Sequence, residues 1–455
     1  MSDKKYLFKR NNVWWVKLAV PLSLRSELGY DLRRTTGEKD LDKAIPIRDK
    51  IIEEFKTEFQ IRKVNADDKG IVLRGTEHMQ KTDISDPQYF HKVVDCQYAC
   101  PAHTNVPEYI RLIAQKKYDD AYMLNWESNV FPGILGRTCD RPCEPACRRG
   151  RTHDKPVAIC RLKRVTYDYK NDIDPYLPDI PKVKNGKKIG LIGAGPASLT
   201  VARDLLPLGY EVTIFEKDNK PGGLMRTNIP SFRLPAEVLD EEVYRIIKMG
   251  AELKTNSYID SLEKVIDSFD AVFVGTGAPK GKDLEIPGRK EASENIHIGI
   301  DWLTSIAFEH TKSIGKKVIV IGGGNTAMDC CRTAIRLGAD DVKVTVRSPK
   351  SDMKASDWEL EEAIDEGIPI LDNTSPKEFL LDDEGKLKGM KFEKMEAQYT
   401  DGKRKLIPTG EEIIIECDDV LLAIGQDNAF PWIEKNIGID LSLIHISEPT
   451  RPIAI

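Results

Sequence analysis

Lys187-Lys-Ile-Gly-Leu-Ile-Gly-Ala-Gly-Pro-Ala-Ser198 runs an apolar strand into closely spaced glycines, and residues 199–208 continue with helical spacing before Glu211-Val-Thr-Ile-Phe-Glu216. Strand, turn, helix and strand in that order are the unit that binds a dinucleotide. Gly193 permits the tight turn and Gly195 lets a pyrophosphate approach the backbone. The helix opened by Pro196 and Ala197 offers unpaired N–H donors and a partial positive charge. Glu216, followed by Lys217, ends the second strand, where a carboxylate can accept a hydrogen bond from a ribose 2′-OH. Ser198 stands where a third glycine is usual, so helix and strand are expected to pack less closely.

A second copy follows on the same chain. Lys316-Lys-Val-Ile-Val-Ile321 leads into Gly322-Gly-Gly-Asn-Thr-Ala327, a helix is expected from about Thr326 to Leu337, and Val342-Lys-Val-Thr-Val-Arg347 is the next strand. Gly322, Gly324, Asn325 and Thr326 form the second cradle. Here the strand ends in a cation: a carboxylate would repel a 2′-phosphate, whereas Arg347, with Lys350 and Lys354 after it, would bind one, which points to NADPH rather than NADH. Two further strands, Ala271-Val-Phe-Val-Gly-Thr-Gly-Ala278 with Gly277 at its end and Val420-Leu-Leu-Ala-Ile-Gly-Gln426, are expected to return to the first nucleotide's sheet. That places an NADPH module at 290–412 as an insertion in an FAD module formed by 184–288 and 413–441. The fold class is α/β, with two Rossmann-like domains behind an α-helical segment at 70–182.

The helical segment carries the metal chemistry. Cys96, Cys100, Cys139, Cys143, Cys147 and Cys160 are six of nine cysteines, and a thiolate followed by proline, as in Cys100-Pro101, suits [4Fe–4S] ligation. Zinc would favour tighter Cys-x2-Cys knuckles, and no secretory signal supports a disulfide framework. Six thiolates complete one four-cysteine cluster and fall two short of a second, for which His103 is a conceivable further ligand. The adjacent Cys330 and Cys331 fit burial in a helix better than redox chemistry.

From about Asp83 to Asp440 the chain resembles the small subunit of NADPH-dependent glutamate synthase and its relatives, which include the electron-input half of dihydropyrimidine dehydrogenase and NADPH:ferredoxin oxidoreductases. The matching words are Asp95-Cys-Gln-Tyr-Ala-Cys-Pro101, Gly136-Arg-Thr-Cys-Asp-Arg-Pro-Cys-Glu-Pro-Ala-Cys147, Pro221-Gly-Gly-Leu-Met225, Pro230-Ser-Phe-Arg-Leu-Pro235 and Gly322-Gly-Gly-Asn-Thr-Ala-Met-Asp329. The resemblance implies FAD, NADPH and one or two [4Fe–4S] clusters as cofactors. It would set Gly223, Leu224 and Arg233 near the flavin and give the 2′-phosphate to Arg347 and Lys354, although relatives often carry two adjacent arginines where this chain has Arg347-Ser348. It implies an electron-transfer oxidoreductase without a general base or nucleophile, serving a large catalytic subunit or a ferredoxin. A stand-alone NADPH:ferredoxin or quinone reductase is chemically equivalent. A disulfide reductase of the thioredoxin reductase kind would need a Cys-x2-Cys near the flavin, which the sequence lacks.

Composition agrees with a multidomain enzyme: 455 residues, net charge −5 and a pI near 6.0 argue against whole-chain nucleic-acid binding. No apolar run has the length of a membrane span, so a soluble, cytoplasmic protein is expected. Both ends read differently from the middle. Residues 1–65 hold 15 Lys and Arg against 10 Asp and Glu. With Trp14-Trp-Val-Lys-Leu18 and Arg33-Arg-Thr-Thr-Gly37 they resemble the N-terminal segment of phage-type tyrosine recombinases, which touches DNA; a DNA-binding fusion is the reading this opens. Residues 442–455 have no periodicity and resemble translated adapter sequence, which implies a truncated and chimeric chain without the Gly-Asp motif that relatives place near FAD.

Overall fold

The computed structural model describes residues 6–10, 13–19, 31–67, 94–153, 155–400 and 403–434. The expectations for residues 442–455, and the connection around residue 70, lie outside them. Contacts divide the chain after Tyr98 into two units.

In the first unit, β1 (Leu7–Arg10), β2 (Val13–Ala19) and β3 (Asp31–Thr35) form an antiparallel sheet in that order, and α1 (Leu41–Asp67) packs on one face. Strand alternation decides which face is covered. Leu7, Val16, Leu18 and Leu32 meet Ile47, Ile51, Ile52 and Phe55 of the helix. The register then puts Phe8, Trp15, Lys17 and Arg33 on the other side.

The second unit opens with helices α2 (Val106–Ala114), α3 (Tyr118–Asn129), α4 (Pro132–Thr138) and α5 (Ile159–Asp168). The first nucleotide module follows: β4 (Lys188–Ile192), α6 (Pro196–Leu205), β5 (Glu211–Phe215), α7 (Ala236–Lys248), β6 (Glu252–Lys254) and β7 (Ala271–Val274). Its sheet is parallel, in the order β6-β5-β4-β7. Continuous burial along β4 is what a central parallel strand requires.

After β8 (Lys280–Gly281) the second module contains β9 (Ile296–Ile298), α8 (Gly299–Ala307), β10 (Lys317–Ile321), α9 (Asn325–Arg336), β11 (Asp341–Thr345), α10 (Asp357–Asp365) and β12 (Ile370–Leu371). An antiparallel sheet of β13 (Thr374–Leu381), β14 (Leu387–Thr400) and β15 (Lys403–Glu416) comes next, then β16 (Asp419–Leu422) and β17 (Gln426–Asp427). The parallel sheet runs β12-β11-β10-β16-β9. Cys330 and Cys331 are buried in this module's core, as expected.

The structure corrects one assignment. Ala271–Val274 does return to the first sheet, beside β4, but Val420-Leu-Leu belongs to the second. Ile319 pairs with Val420, which in turn pairs with Ile296. An apolar strand ending in small residues says nothing about which sheet it enters; the gap between β10 and β9 decided it. The chain crosses back only afterwards, where β17 pairs with β8 and Trp432 and Ile433 pack on Ile192, Leu262 and Val272. The inserted segment therefore extends beyond residue 412.

Candidate functional site

Gly193 has φ +90°, and a Cβ there would stand 2.8 Å from the Gly275 carbonyl oxygen. Its N–H donates to Phe215 O at 2.7 Å, which ties the turn to β5. Gly195 caps α6, and Pro196 occupies the first turn, where a missing N–H costs nothing. The loop 221–224 closes over this cradle: Gly222 N donates to Ala194 O at 2.9 Å, and a Cβ on Gly223 would lie 2.8 Å from Gly195 Cα. Arg226 holds the loop through Pro221 O at 2.6 Å and Asp240 at 2.5 Å, while Leu224 stays exposed.

Glu216 is buried. One oxygen accepts from Ala194 N at 2.8 Å and the other from Asp218 N at 3.0 Å, yet burial raises its pKa above the usual range. Each oxygen keeps a further lone pair for a ribose hydroxyl. Ser198 faces inward rather than toward the cradle, and a Cβ on Gly275 would come 2.1 Å from its Oγ. The expected loosening is thus offset by the facing strand, which has no Cβ at that point. Ser198 Oγ and Thr276 Oγ1 are buried without a partner among the described residues. A Cβ on Gly195 would make only ordinary contact, 3.8 Å from Gly275 O, and the free N–H groups of the helix start fit a pyrophosphate. Lys217 is exposed and acts electrostatically on Asp301 of α8; Gly277 takes φ +67°.

In the second cradle a Cβ on Gly322 would collide with Ala423 O at 2.2 Å, whereas Gly324, the cap of α9, looks onto open space. Asn325 and Thr326 open the helix. Asn325 Oδ1 accepts from Ser356 N at 2.8 Å, and Gly323 O accepts from the amides of Lys354 and Ala355 at 2.8 and 2.9 Å, which seats the segment after β11 against the glycines. The side chains of Arg347, Lys350 and Lys354 are exposed and have no ion-pair or hydrogen-bond partner among the described residues. The neighbouring Arg404 is instead paired with Asp352 at 2.7 Å. A group of unpaired cations at the end of β11 fits a 2′-phosphate.

Arg233, expected beside the flavin, is held by two carboxylates of the second module. Its Nη1 donates to both oxygens of Asp329, at 2.6 and 2.7 Å, and its Nη2 is 2.5 Å from Glu359 Oε1. Burial pushes Asp329 up to about 7 against the pull of Arg233, and Glu359 is raised for the same reason. Neither carboxylate's partner was legible from sequence spacing.

The thiols gather where α4 and α5 cross. The crossing is close because both contacts on α4 are glycine: a Cβ on Gly133 would meet Tyr167 at 2.3 Å and one on Gly136 would meet Arg164 Cα at 2.7 Å. Cys139 ends α4 and its sulfur accepts from Arg141 N at 3.4 Å. Cys160 opens α5; its Sγ donates to Leu135 O and Gly136 O at 3.4 Å, and its N–H to Glu144 at 2.9 Å. Burial pushes Cys143 up to about 12, with Cys139 and Cys100 adding and Lys163 opposing. Cys160 is raised by burial and then by Cys139. Cys100, Cys139, Cys143 and Cys160 are therefore within electrostatic reach of one another, beside the buried cation of Lys163. Cys147 is half-buried on the following turn, and Cys96 belongs to the short helix Asp95–Ala99. His103 N donates to Cys100 O at 2.9 Å. Among the described residues no three His, Cys, Asp or Glu side chains converge tightly enough for a single metal ion; a four-iron cube spreads its ligands wider. Two buried thiols, a half-buried one that accepts a backbone N–H, and a buried cation suit such a cube.

The loop after Cys139 also reaches the second module. Asp140 accepts from Ser356 Oγ and Asn325 Nδ2 at 3.4 and 3.5 Å, and the Arg141 guanidinium lies 4.3 Å from the Trp358 ring centre.

Two parallel nucleotide modules joined to a thiol-bearing helical segment define a nicotinamide- and flavin-dependent oxidoreductase with an iron–sulfur domain. Residues 187–443 match the model of the pyridine nucleotide-disulphide oxidoreductases, and the chain belongs to that family. Residues 89–174 match dihydropyrimidine dehydrogenase domain II, 4Fe-4S cluster. The chain is 34% identical over 391 residues to the NADPH-Fe(3+) oxidoreductase subunit beta of Geobacter sulfurreducens, covering 82% of this chain and 58% of that protein. It is 33% identical over 372 residues to the NADP(+)-dependent formate dehydrogenase subunit beta of Moorella thermoacetica, covering 76% and 52%. With the glutamate synthase [NADPH] small chain of Azospirillum brasilense the identity is 32% over 350 residues, covering 72% of each. The chain thus spans little more than half of the first two relatives. Among the described residues no helix is long and apolar enough to cross a membrane.

Proposed function

We propose that this chain takes electrons from NADPH through FAD to a [4Fe–4S] cluster and delivers them to a partner, either a large catalytic subunit or a ferredoxin. The observation that carries the reading is that one packed unit joins two glycine cradles to a group of buried and half-buried thiols. When bound, the nucleotides supply hydride chemistry and the cluster carries single electrons. The chain's own work is positioning. In this reading the first-turn N–H groups of α6, those of Ala197 and Ser198, hold the FAD pyrophosphate, and Glu216 orients its ribose. Gly322, Gly324, Asn325 and Thr326 hold the NADPH pyrophosphate, with Arg347 and Lys354 on the 2′-phosphate. Cys100, Cys139, Cys143 and Cys160 hold one cluster. The FAD module comprises 184–288 plus the segment after β16, and the NADPH module lies between them.

Anaerobic purification with iron, sulfide and flavin assays, and visible spectra before and after NADPH, test this. Flavin bands that bleach with NADPH, with iron and sulfide present, are expected; zinc in place of iron and no flavin would overturn it. For residues 1–65 the reading is a nucleic-acid-docking segment, favoured by the shared sheet face of Phe8, Trp15, Lys17 and Arg33, with the two rings 6.4 Å apart. An electrophoretic shift of duplex DNA by the full chain, abolished by moderate salt, is expected; no shift at low salt would end that reading.

A further inference from the structure

Two consecutive side chains of the first module, Phe232 and Arg233, insert into the second. They ride on a turn in which Arg233 N and Leu234 N both donate to Pro230 O, at 2.9 and 3.0 Å, and Leu234 is anchored in the first module's core. Arg233 takes Asp329 of α9 and Glu359 of α10 in the contacts given above. The three side chains are 10, 6 and 3% exposed. The Phe232 ring lies 3.9 Å from the Arg336 guanidinium and 4.9 Å from that of Arg332. Arg332 is in turn held by Glu359, Glu362 and Glu366, at 3.4, 2.6 and 2.9 Å.

These two helices are the ones that start at the nucleotide loop. The cap of α9 is Gly324, and α10 begins beside Ser356, which is bonded to Asn325. A grip on α9 and α10 is therefore a grip on the second cradle itself. Both amino groups of the Arg233 guanidinium are engaged by carboxylates, in a site that is nearly buried. Charge-assisted contacts of this kind specify geometry sharply, and losing one partner leaves the others buried and uncompensated.

We propose that Arg233 is a positioning residue: by joining Asp329 and Glu359 it sets the second nucleotide module on the first, and so fixes the approach of the nicotinamide to the flavin. The inference rests on the oxidoreductase reading above. Hydride transfer demands near-contact of the reacting atoms, and a misplacement of about 1 Å costs on the order of 10²-fold in rate.

The test uses the full chain carrying Arg233→Gln or Arg233→Lys. A third protein, with Arg233→Met, Asp329→Leu and Glu359→Gln together, removes Arg233 and both its carboxylates while Arg332 keeps Glu362 and Glu366, and so keeps its fold should the single variant lose it. Amide hydrogen exchange over 230–235 and 325–336, without nucleotide, reports the grip. Stopped-flow bleaching by NADPH, FAD content, the flavin spectrum and NADP+ affinity report its consequence. Arg233→Gln is expected to speed exchange in both segments and slow bleaching roughly 10²-fold, with FAD content, flavin spectrum and NADP+ affinity near wild type. Arg233→Lys should fall between, and the triple variant should be stable but slow. Unchanged exchange and bleaching would overturn the proposal, as would loss of FAD or an altered flavin spectrum, which would put the guanidinium on the flavin. If the wild-type chain itself fails to bleach, the oxidoreductase reading falls, and the exchange measurement still decides the grip.

Discussion

Gly275→Ala places a methyl group 2.1 Å from Ser198 Oγ and 3.0 Å from a Phe273 ring carbon, contacts that real side chains do not tolerate. Gly275 does not use a left-handed φ, so the backbone itself accepts alanine. The harm is steric alone. Overpacking of a tight core costs about 1–3 kcal/mol, offset by roughly 0.4–1 kcal/mol from a less flexible unfolded chain, leaving a net loss of about 0–2.6 kcal/mol. Ser198→Gly deletes the other side of the contact. It loses about 0.5–1 kcal/mol of helix propensity and removes a buried hydroxyl that has no partner among the described residues. Together the two changes move the missing Cβ from strand to helix, so the pair should be better than the sum of the singles by about 1–3 kcal/mol. Urea denaturation of wild type, both singles and the double would measure that coupling. Flavin retention gives a second readout, since α6 carries the Gly195 cradle. Additivity within about 0.5 kcal/mol would refute the complementarity of Ser198 and Gly275.

Arg347→Glu should raise KM for NADPH far more than for NADH, because only the former carries a 2′-phosphate; equal effects would discard that role for the residue. Cys160→Ser should strip iron and sulfide from the chain, while Cys331→Ala, inside the second module's core, should leave both unchanged; chemical iron and sulfide assays decide. Glu241 titrates at about 2 in the fold: burial opposes ionisation, but Lys170, Tyr167 and Arg245 outweigh it. A lowered carboxyl contributes stability that is present above its unfolded value of 4.5 and is lost as pH falls toward 2. Denaturation midpoints of Glu241→Gln measured from pH 5 to 2 should accordingly fall less steeply than those of wild type, and parallel profiles would show that the three partners do not stabilise the anion.

Both glycine cradles were legible because the local code is strong: an apolar strand, glycines whose Cβ would collide, and a helix whose start they cap. The cation at Arg347 was legible for the same reason. What failed was everything decided by distant partners. The strand 419–422 looks the same whichever sheet receives it. The sheet of β13–β15 went unread, although burial alternates from Met390 to Phe392 around the half-buried Lys391 and β14 carries that period. Arg233 and Asp329 lie far apart in sequence, and no spacing rule connects a turn of one module to a helix face of another. Among the cysteines, sequence supplied six candidates; the close crossing of α4 and α5, set by Gly133 and Gly136, is what brings Cys160 to Cys139.

The same helix explains how a thiol loop can be fixed relative to two nucleotide modules. Glu242 of α7 is fully buried at the start of α4, where it accepts from Gly133 N at 2.7 Å, Ile134 N at 2.9 Å and Tyr122 O–H at 2.8 Å. Those amides belong to the first turn, whose N–H groups have no acceptor within the helix. Burial lifts Glu242 to about 7 against these donors, and only a site with this much hydrogen bonding makes the carboxyl tolerable. Six residues after Gly133, about 9 Å along the axis at 1.5 Å per residue, α4 ends at Cys139. The first module thus holds the strut at one end. At the other end Asp140 and Arg141 meet Asn325, Ser356 and Trp358 of the second. A loop clamped in this way cannot drift relative to either cradle. Single-electron carriage asks for fixed spacing between sites, whereas acid–base catalysis asks for a mobile proton at a tuned group. The side chains that join the three parts, Glu242, Arg233 and Arg141, spend their charges on holding the parts together.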